Sequence, residues 1–338
     1  MVEKSVDAIK VYGWMSDYTG SGVYRISLPF GQLYSNHPDL LVKANSVIED
    51  WDARTADIIV CQRSCTDEQL KLIKKWKRNY KAKIVFETDD DILNIDSSNQ
   101  ANKFYSNQNI KDNIKEIAEI SDLITTSTQP LAETLHPFND NITVLPNFID
   151  EKLFTFDSTP PDTNKTIIGW AGSITHQIDF AVCSNPLRRV MELQKETWLH
   201  LYGSLYNPGL NERVYFTPWS DDMESFHKSL RLHIGLAPLR ECSFNESKSY
   251  IKMLEYAALG IPAIASNVTS YNSFVQDTET GYLVDNNAEW KHRLLNLVRN
   301  PDLRSYIGSN AQKYARDFTI QKNYALWADT YQELMNKT

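Results

Sequence analysis

Residues 243–266 constrain the fold of this chain more than any other stretch, and they read SFNESKSYIKMLEYAALGIPAIAS. Apolar side chains recur at helical spacing from Ile251 to Ala258, which predicts a helix with one buried face. Gly260 is expected to end that helix, and Pro262 prevents its continuation. Residues 261–265 are short and apolar, as in a strand buried on both faces of a parallel sheet. The stretch therefore predicts an α/β fold.

The polar residues of the same stretch lie off the apolar stripe. Lys248, Lys252 and Glu255 follow at positions i, i+4 and i+7, so they share one side of the helix. Helix N-termini attract anions, and a carboxylate two turns later suits a hydroxylated ring. The pattern is thus compatible with a phosphate and a sugar held together. The alternative is an exposed face with an ordinary Lys–Glu pair.

Composition narrows the classes of protein that the chain can belong to. Its 338 residues suffice for two domains, and 42% hydrophobic with 23% charged residues is typical of a globular protein. The net charge of −8 does not suggest a protein that coats nucleic acid or an anionic membrane. Four scattered cysteines are expected to be reduced thiols, which indicates a cytoplasmic protein. No signal region or transmembrane segment is predicted, so any membrane contact would be peripheral.

The chain divides into two halves in which predicted strands and helices alternate. Residues 157–165 are rich in Pro, Asp, Thr and Asn and are interpreted as a linker. The predicted domains are 1–156 and 157–318. A terminal helix is predicted in 319–338, and its row of aromatic side chains must pack against another part of the protein. Alternation of this kind predicts two doubly wound Rossmann-like domains that face each other across a cleft.

A family resemblance is carried by the run KSYIKMLEYAALGIPAIAS, 248–266, followed by TGYLVD, 280–285. Both runs strongly resemble the sugar-nucleotide site of family 4 glycosyltransferases of the bacterial and phage type. The resemblance implies the GT-B fold, with the terminal helix crossing back to the first domain. It also implies a retaining hexosyl- or pentosyltransferase that moves a sugar from a nucleotide sugar to a hydroxyl acceptor.

The resemblance assigns residues of the second domain to the donor. Two family glutamates, eight positions apart, frame the helix, and Glu255 matches the one that holds the ribose. The sugar-facing position is Ser247 instead, with Glu246 beside it. The loop at Gly172 and Ser173 would face the diphosphate, but it lacks the usual Arg and Lys, so Lys248 is expected to supply the charge.

Three further second-domain residues are candidates. His176 follows the diphosphate loop and would bond a phosphate or the acceptor, or be structural. Tyr202 and Gly203 end a predicted strand that borders the nucleotide in the family.

The first domain is expected to face the acceptor. Gly20, Ser21 and Gly22 are predicted to turn after the first strand, and they resemble the glycine loop that faces the cleft in GT-B enzymes. Arg25 follows and would contact a donor phosphate or an acceptor, or pair on the surface. Residues 94–109, rich in Asn, Ser and Gln, are predicted to form a mobile loop over the cleft mouth.

Three aspartates, Asp89 to Asp91, follow a predicted strand at the edge where open α/β sheets bind ligands. A divalent cation is one interpretation, because carboxylates suit magnesium and manganese. GT-B enzymes generally work without an essential metal, so we favour Asp89 and Asp90 as acceptor-side or helix-capping groups.

The candidate residues fall into two sets. The catalytic candidates are Lys248, Glu246, His176 and Asp90. The donor-binding candidates are Gly20, Ser21, Gly22, Arg25, Gly172, Ser173, Tyr202, Gly203, Ser247, Lys252 and Glu255. We expect no metal and no cofactor, with the nucleotide sugar acting as cosubstrate.

Several functions remain open. The acceptor is expected to be a glycan or a lipid-linked saccharide, and a phage-type enzyme acting on hydroxymethylated DNA bases is an alternative. A non-catalytic nucleotide-sugar-binding module is another, because the first family glutamate is replaced. An epimerase of GT-B architecture would need an acid–base set that we do not find. Missing glycine motifs exclude a Rossmann oxidoreductase and a P-loop kinase.

Overall fold

The structure is a computed structural model that describes residues 2–156, 160–206, 209–210, 212–220 and 222–337. Within these residues the strands form two parallel sheets of six strands each. The strands of the first sheet are β1 Ile9–Trp14, β2 Leu40–Asn45, β3 Ile58–Gln62, β4 Lys83–Thr88, β5 Leu123–Thr126 and β6 Ile142–Val144. Those of the second sheet are β7 Thr166–Gly172, β8 Thr197–Gly203, β9 Val214–Pro218, β10 Ile234–Ala237, β11 Ala263–Ser266 and β12 Tyr282–Val284.

Helices cover both sheets. In the first half they are α1 Gly20–Gly22, α2 Leu28–Asn36, α3 Asp50–Thr55, α4 Asp67–Asn79, α5 Asn102–Tyr105, α6 Gln108–Ile120 and α7 Gln129–Leu135, with a π-helical stretch, Val23–Ser27, between α1 and α2. In the second half they are α8 Gln177–Leu193, α9 Met223–Ser229, α10 Ser243–Glu246, α11 Ile251–Ala258, α12 Thr269–Asn272, α13 Asn287–Arg299, α14 Pro301–Ala315, α15 Ile320–Asn323 and α16 Ala325–Asn336, with a 3₁₀ turn, Ile174–His176, before α8.

Strand order explains where a ligand can bind. The first sheet runs β2-β1-β3-β4-β5-β6, so the order reverses between β1 and β3. The second runs β12-β11-β10-β7-β8-β9 and reverses between β7 and β10. In open α/β sheets the crevice at such a reversal, beyond the carboxyl ends of the strands, is the ligand site. The predicted pair of doubly wound domains is therefore confirmed.

The helix and strand predicted for residues 243–266 are present as α11 and β11. The helix begins only at Ile251, so the prediction that Lys248 shares it with Lys252 and Glu255 is wrong, and Lys248 lies in the connection between α10 and α11. Gly260 takes a positive φ of 66°, and the amides of Gly260 and Ile261 donate to the carbonyls of Ala257 and Tyr256 at 2.9 Å. This left-handed glycine cap satisfies the last carbonyls of the helix. The chain then enters β11, whose four residues are all buried. The glycine stop predicted from the sequence is confirmed.

The terminal helix crosses back to the first domain, as predicted. Trp327 and Tyr331 on α16 are each 1% exposed and belong to a core cluster with residues of β1, β3 and β4. The Trp327 ring lies 6.1 Å from Phe148, and the Tyr331 ring lies 6.3 Å from Phe30. Burial of large aromatic side chains stabilises such a contact by about 2 to 3 kcal/mol each. The helix therefore ties the end of the chain to the first sheet.

Two segments differ from the sequence-based prediction. Gly20 to Gly22 form the first turn of a helix instead of a turn before it, because the Asp17 carboxylate accepts from the amides of Thr19 and Gly22 at 3.0 and 3.1 Å. The segment 94–109, predicted as a loop, contains α5 and the first two residues of α6.

The limits of the predicted domains remain predictions. The boundary between 156 and 157, and part of the proposed linker, fall on residues 157–159, which lie outside the described residues. The sequence also predicts a second-domain helix over residues 221–230. Its first residue, Asp221, lies outside the described residues, and the described helix begins at Met223.

Candidate functional site

A cavity of about 430 Å³ lies between the carboxyl edges of the two sheets. The first domain contributes the segments after β1, β3 and β4, and the second contributes those after β7 and β10 together with the start of α11. Both strand-order reversals thus open into one cleft. The predicted residues that line it are Gly20, Ser21, Asp89, Asp90, Gly172, Ser173, His176, Lys248, Lys252 and Glu255.

A larger cavity of about 620 Å³ lies elsewhere, mainly on the second domain, and is lined in part by His227, Arg231 and Arg304. It contains none of the predicted site residues. The smaller cleft is the better candidate because it joins both domains at the ligand-binding edge of each sheet.

Glu255 lines the cleft with a carboxylate that three side chains contact, and it is only 6% exposed. Its Oε1 accepts from the Tyr24 hydroxyl at 2.6 Å and lies 3.3 Å from His227 Nε2, while its Oε2 accepts from Lys252 Nζ at 2.8 Å. Burial alone would disfavour the charged form, but Lys252 and His227 hold the pKa of Glu255 well below its usual range. Glu255 is therefore an anion that can accept from ligand hydroxyls.

Lys248 reaches across the cleft from the second domain to the first. Its Nζ donates to Asp90 Oδ1 at 2.6 Å, and Arg63 Nη2 donates to Asp90 Oδ2 at 3.2 Å. Burial opposes ionisation of Asp90, yet the two cations lower its pKa to about 2. The cleft therefore holds two positive charges around one carboxylate.

The neighbouring aspartates point to other partners. Asp89 Oδ1 accepts from the Ser21 hydroxyl at 2.6 Å, which joins the segments after β4 and β1. Asp91 is buried and caps its own turn, because its Oδ1 accepts from the Asn94 amide at 3.2 Å. Among the described residues, no group of three or more His, Cys, Asp and Glu is arranged to hold a metal ion. Asp89 to Asp91 do not converge on one point.

His176 is oriented by a short network at the start of α8. Its Nδ1 lies 3.0 Å from Asp179 Oδ2, and Asp179 Oδ1 accepts from Asn245 Nδ2 at 2.7 Å. Asp179 also accepts from the Arg240 amide at 3.1 Å. His176 is about 30% exposed and lines the cleft. The network links the segments after β7 and β10, so it fixes the loop that carries Gly172 and Ser173.

Gly172 and Gly203 end the paired strands β7 and β8, and their packing requires glycine. A Cβ on Gly172 would lie 2.3 Å from the Trp170 ring, and one on Gly203 would lie 2.7 Å from the Gly172 carbonyl oxygen. Gly203 also has a positive φ of 86°. Gly203 itself does not line the cleft but supports the residue that does.

Some predicted residues lie outside the cavity. Arg25 is fully buried, where its Nε donates to Glu87 Oε1 at 2.6 Å and its Nη1 donates to Asn147 Oδ1 at 2.9 Å. Gly22 packs against Asp17, since a Cβ there would lie 1.9 Å from the Asp17 carbonyl oxygen.

The other predicted residues outside the cavity belong to the second domain. Tyr202 is buried, and its hydroxyl donates to the Ser229 carbonyl at 2.9 Å. Glu246 Oε2 accepts from the amide and hydroxyl of Thr269 at 2.9 and 2.6 Å. Ser247 is 3% exposed, and its carbonyl accepts from Thr128 Oγ1 at 2.8 Å. The roles assigned to these residues from the sequence stay predictions.

Among the polar residues of the cleft that sequence reasoning missed are Tyr24, Arg63 and His227. Arg63 directly follows β3 at the carboxyl edge of the sheet, which was a usable signal. Tyr24 lies in the π-helical stretch after the glycines, and such stretches are frequent at functional sites. His227 comes from α9, and no sequence pattern connects it with Glu255.

The two sides of the cleft are in direct contact. Asn147 Nδ2 donates to Ser249 Oγ at 3.0 Å, and Arg240 Nη2 donates to Asp96 Oδ1 at 2.7 Å. Phe244 of α10 is buried in a core cluster of the first domain. Together with the Tyr24–Glu255 and Lys248–Asp90 bonds, these contacts describe a closed cleft.

Comparison with known proteins agrees with this architecture. Residues 156–314 match the model of the family described as glycosyl transferases group 1. A D-inositol 3-phosphate glycosyltransferase of Salinispora tropica is 30% identical over 129 residues, which are 37% of this chain and 25% of that protein. The chain thus spans only a quarter of that relative. The enzyme of the same name from Corynebacterium glutamicum is 23% identical over 335 residues, which are 97% of this chain and 71% of that protein.

A solved structure extends the likeness to both domains. HepE of Anabaena in complex with UDP-glucose aligns with a TM-score of 0.70 at 14% identity, and the alignment covers 96% of this chain and all of HepE. At this identity the likeness concerns the fold. No helix of the described residues is both long and apolar enough to cross a membrane. The chain therefore has the two-domain GT-B fold, and its residues 156–314 are similar to the glycosyl transferases of group 1.

Proposed function

We propose that the protein is a retaining glycosyltransferase that moves a hexosyl or pentosyl group from a nucleotide sugar to a hydroxyl acceptor. The observation that carries the proposal is Glu255, a buried carboxylate in contact with Tyr24, His227 and Lys252 at the cleft between the two domains. It lies on the helix that the group 1 family model covers. HepE binds UDP-glucose, which supports a nucleotide sugar as the donor.

The donor would lie on the second domain. Glu255 would accept hydrogen bonds from the ribose hydroxyls, because a carboxylate is an acceptor with several lone-pair sites. Lys252 and His227 keep it charged for that purpose. The diphosphate would lie between the Gly172–Ser173 loop and Lys248, all of which line the cleft.

The chemistry requires stabilisation of a departing nucleoside diphosphate. The acceptor oxygen forms a bond to the anomeric carbon as the bond from that carbon to the diphosphate oxygen breaks. The acceptor proton passes to the departing diphosphate on the same face, so no protein base is needed. Fixed amide dipoles and a lysine in a closed cleft suit the negative charge that develops.

The acceptor is proposed to be a glycan or a lipid-linked saccharide. The first-domain side of the cleft carries hydroxyl, carboxylate and amide groups from Ser21, Asp89 and Asn99, which match a polyhydroxylated acceptor. The net charge of −8 disfavours DNA. The four cysteines are free thiols, which supports a cytoplasmic location.

The test is a calorimetric screen of UDP, GDP, TDP, ADP and CMP against the wild type and Glu255→Ala. We expect micromolar binding of one nucleotide, and at least about tenfold weaker binding by the variant, since about 1.4 kcal/mol is lost with one charged hydrogen bond. Glu333→Ala is the matched control, because Glu333 is an exposed glutamate on α16.

Two results would contradict the proposal. Absence of binding by every nucleotide would reject a nucleotide-sugar enzyme. Tight binding of a nucleotide sugar with neither transfer nor donor hydrolysis would favour a non-catalytic binding module. The buried Ser247 at the sugar-facing position would then explain the missing activity.

A further inference from the structure

Asp90 has two cationic partners, one from each domain. Lys248 of the second domain approaches Oδ1 to 2.6 Å, and Arg63 of the first domain approaches Oδ2 to 3.2 Å. The side chains of Lys248 and Asp90 are only 16% and 20% exposed, so solvent screens this pair weakly. Lys248 is also the cation that the proposed function gives to the donor diphosphate. Asp90 and the donor diphosphate would therefore compete for the single positive charge of Lys248.

The backbone of Arg63 adopts a strained conformation. Its φ is 49°, in the left-handed region that a residue with a side chain rarely adopts. Its amide donates to the Glu87 carbonyl at 2.8 Å, which anchors this conformation beside β4. Its Nε is buried and has no hydrogen-bond partner among the described residues. Strain of this kind concentrates at functional sites, where the surrounding fold maintains it.

We propose that Asp90 is an internal counter-anion that occupies Lys248 until the donor diphosphate displaces it, and that Arg63 is the positioning residue that keeps Asp90 on the first-domain side. The inference rests on the proposed function and deepens it. When Lys248 turns to the diphosphate, Arg63 remains to neutralise Asp90. Without Arg63, Asp90 would have Lys248 as its main partner and would compete more strongly with the donor.

An Asp90–Lys248 pair that served only to join the two domains would affect ligand binding differently. Other contacts already join the two sides, including Tyr24 to Glu255 at 2.6 Å and Asn147 to Ser249 at 3.0 Å. Removal of the Asp90 charge therefore leaves the cleft closed but frees Lys248. If the pair only joins the domains, removal of the Asp90 charge weakens ligand binding. If Asp90 competes with the ligand for Lys248, the same removal strengthens binding.

The experiment is a double-mutant cycle on the full chain, with the dissociation constants of UDP and uridine measured by calorimetry or by competition. Asp90→Asn keeps the shape of the side chain and is expected to strengthen UDP binding about tenfold. Arg63→Gln is expected to weaken UDP binding about tenfold in the wild type but less than about twofold in the Asp90→Asn background. Arg63→Lys keeps the charge and is expected to bind UDP nearly as the wild type does.

Uridine separates this role from a general defect, because it has the ribose and base but no phosphate. Its affinity is expected to stay constant in all variants. An Asp90→Asn variant that binds UDP no better than the wild type would overturn the inference. Equal weakening by Arg63→Gln in both backgrounds would also overturn it, since Arg63 would then act on the phosphate directly.

The outcome also distinguishes this inference from the proposed function. If the wild type binds neither UDP nor uridine, the cycle is run with the nucleotide that the screen identifies and its nucleoside. If the screen identifies none, the proposed function and the inference are rejected together. If the wild type binds UDP through Glu255 but Asp90→Asn brings no gain, only the counter-anion role is rejected.

Discussion

Two buried glutamates, one in each domain, have pKa values that are shifted in opposite directions. Glu87 at the end of β4 is 2% exposed, and Glu255 on α11 is 6% exposed. Burial raises the pKa of Glu87 to about 7, although the Arg25 guanidinium 2.6 Å away opposes the rise. The pKa of Glu255 lies well below its usual range, because Lys252 and His227 outweigh the same burial.

The difference follows from how fully each carboxylate is satisfied. Three polar side chains contact the two oxygens of Glu255. Glu87 has Arg25 on Oε1, and its Oε2 is buried without a partner among the described residues. A single cation therefore does not guarantee a stable buried anion, and the remaining lone pairs decide the balance. Glu87 is suited to a structural role and Glu255 to binding.

The largest effect is expected from Arg25→Met, which would test the structural side of the comparison. Arg25 also donates to the Leu145 carbonyl, so its removal leaves several buried acceptors unpaired. We expect a loss of about 3 to 5 kcal/mol in the free energy of unfolding, measured in urea. The double variant with Glu87→Leu serves as the control and should recover part of the loss. A loss below about 1 kcal/mol would contradict a structural role for this pair.

Glu255→Ala and Lys248→Ala test the binding side. Each is expected to lower the rate of sugar transfer or donor hydrolysis at least about 100-fold, the scale of losing one positioned electrostatic group. Their unfolding curves should stay cooperative. Glu333→Ala is again the matched control. Turnover near the wild-type rate in both variants would reject the assignment of this site.

Tyr24→Phe sharpens the comparison by removing one partner of Glu255. The Tyr24 hydroxyl donates to Oε1 at 2.6 Å from the opposite domain. Its loss is expected to reduce the free energy of unfolding by about 1.5 to 3 kcal/mol, the range for hydrogen bonds to charged groups. Tyr34→Phe, at a half-exposed tyrosine of α2, provides the control and should change stability little. An unchanged stability in Tyr24→Phe would mean that Lys252 and His227 suffice.

The smallest effect per step of the measurement, one pH unit, is a pH dependence of stability from Glu87. A carboxyl whose pKa is raised in the folded state binds protons more tightly there, so its contribution to stability falls as pH rises from about 4.5 to about 7. Relative to Glu87→Gln, the wild type should lose up to about 1.4 kcal/mol per pH unit over that window. Urea unfolding at several pH values measures this difference. A wild type that gains on the variant in this range would mean that Arg25 keeps Glu87 ionised.

The second-domain side of the cleft could be read from the sequence because its groups are close in the chain. Lys248, Lys252 and Glu255 lie within one short segment. Helical periodicity places Lys252 and Glu255 on one side of α11, whereas Lys248 precedes the helix, which the spacing did not predict. The glycine stop and the buried strand after it depend on local conformational preferences, which a single sequence reveals. For the same reason the alternation of strands and helices predicted both doubly wound domains.

Tertiary structure alone decided which distant residues meet. Tyr24, His227 and Glu255 come from three separate elements, and no local pattern encodes their contact. Arg25 was predicted to bind the donor because it follows the glycines, but its side chain is buried and donates to Glu87. Local sequence thus determined helices, strands and the polarity of their faces. The partners, and with them the charge state of each buried carboxylate, were decided by the packing of two sheets, because desolvation and pairing depend on every element around a group.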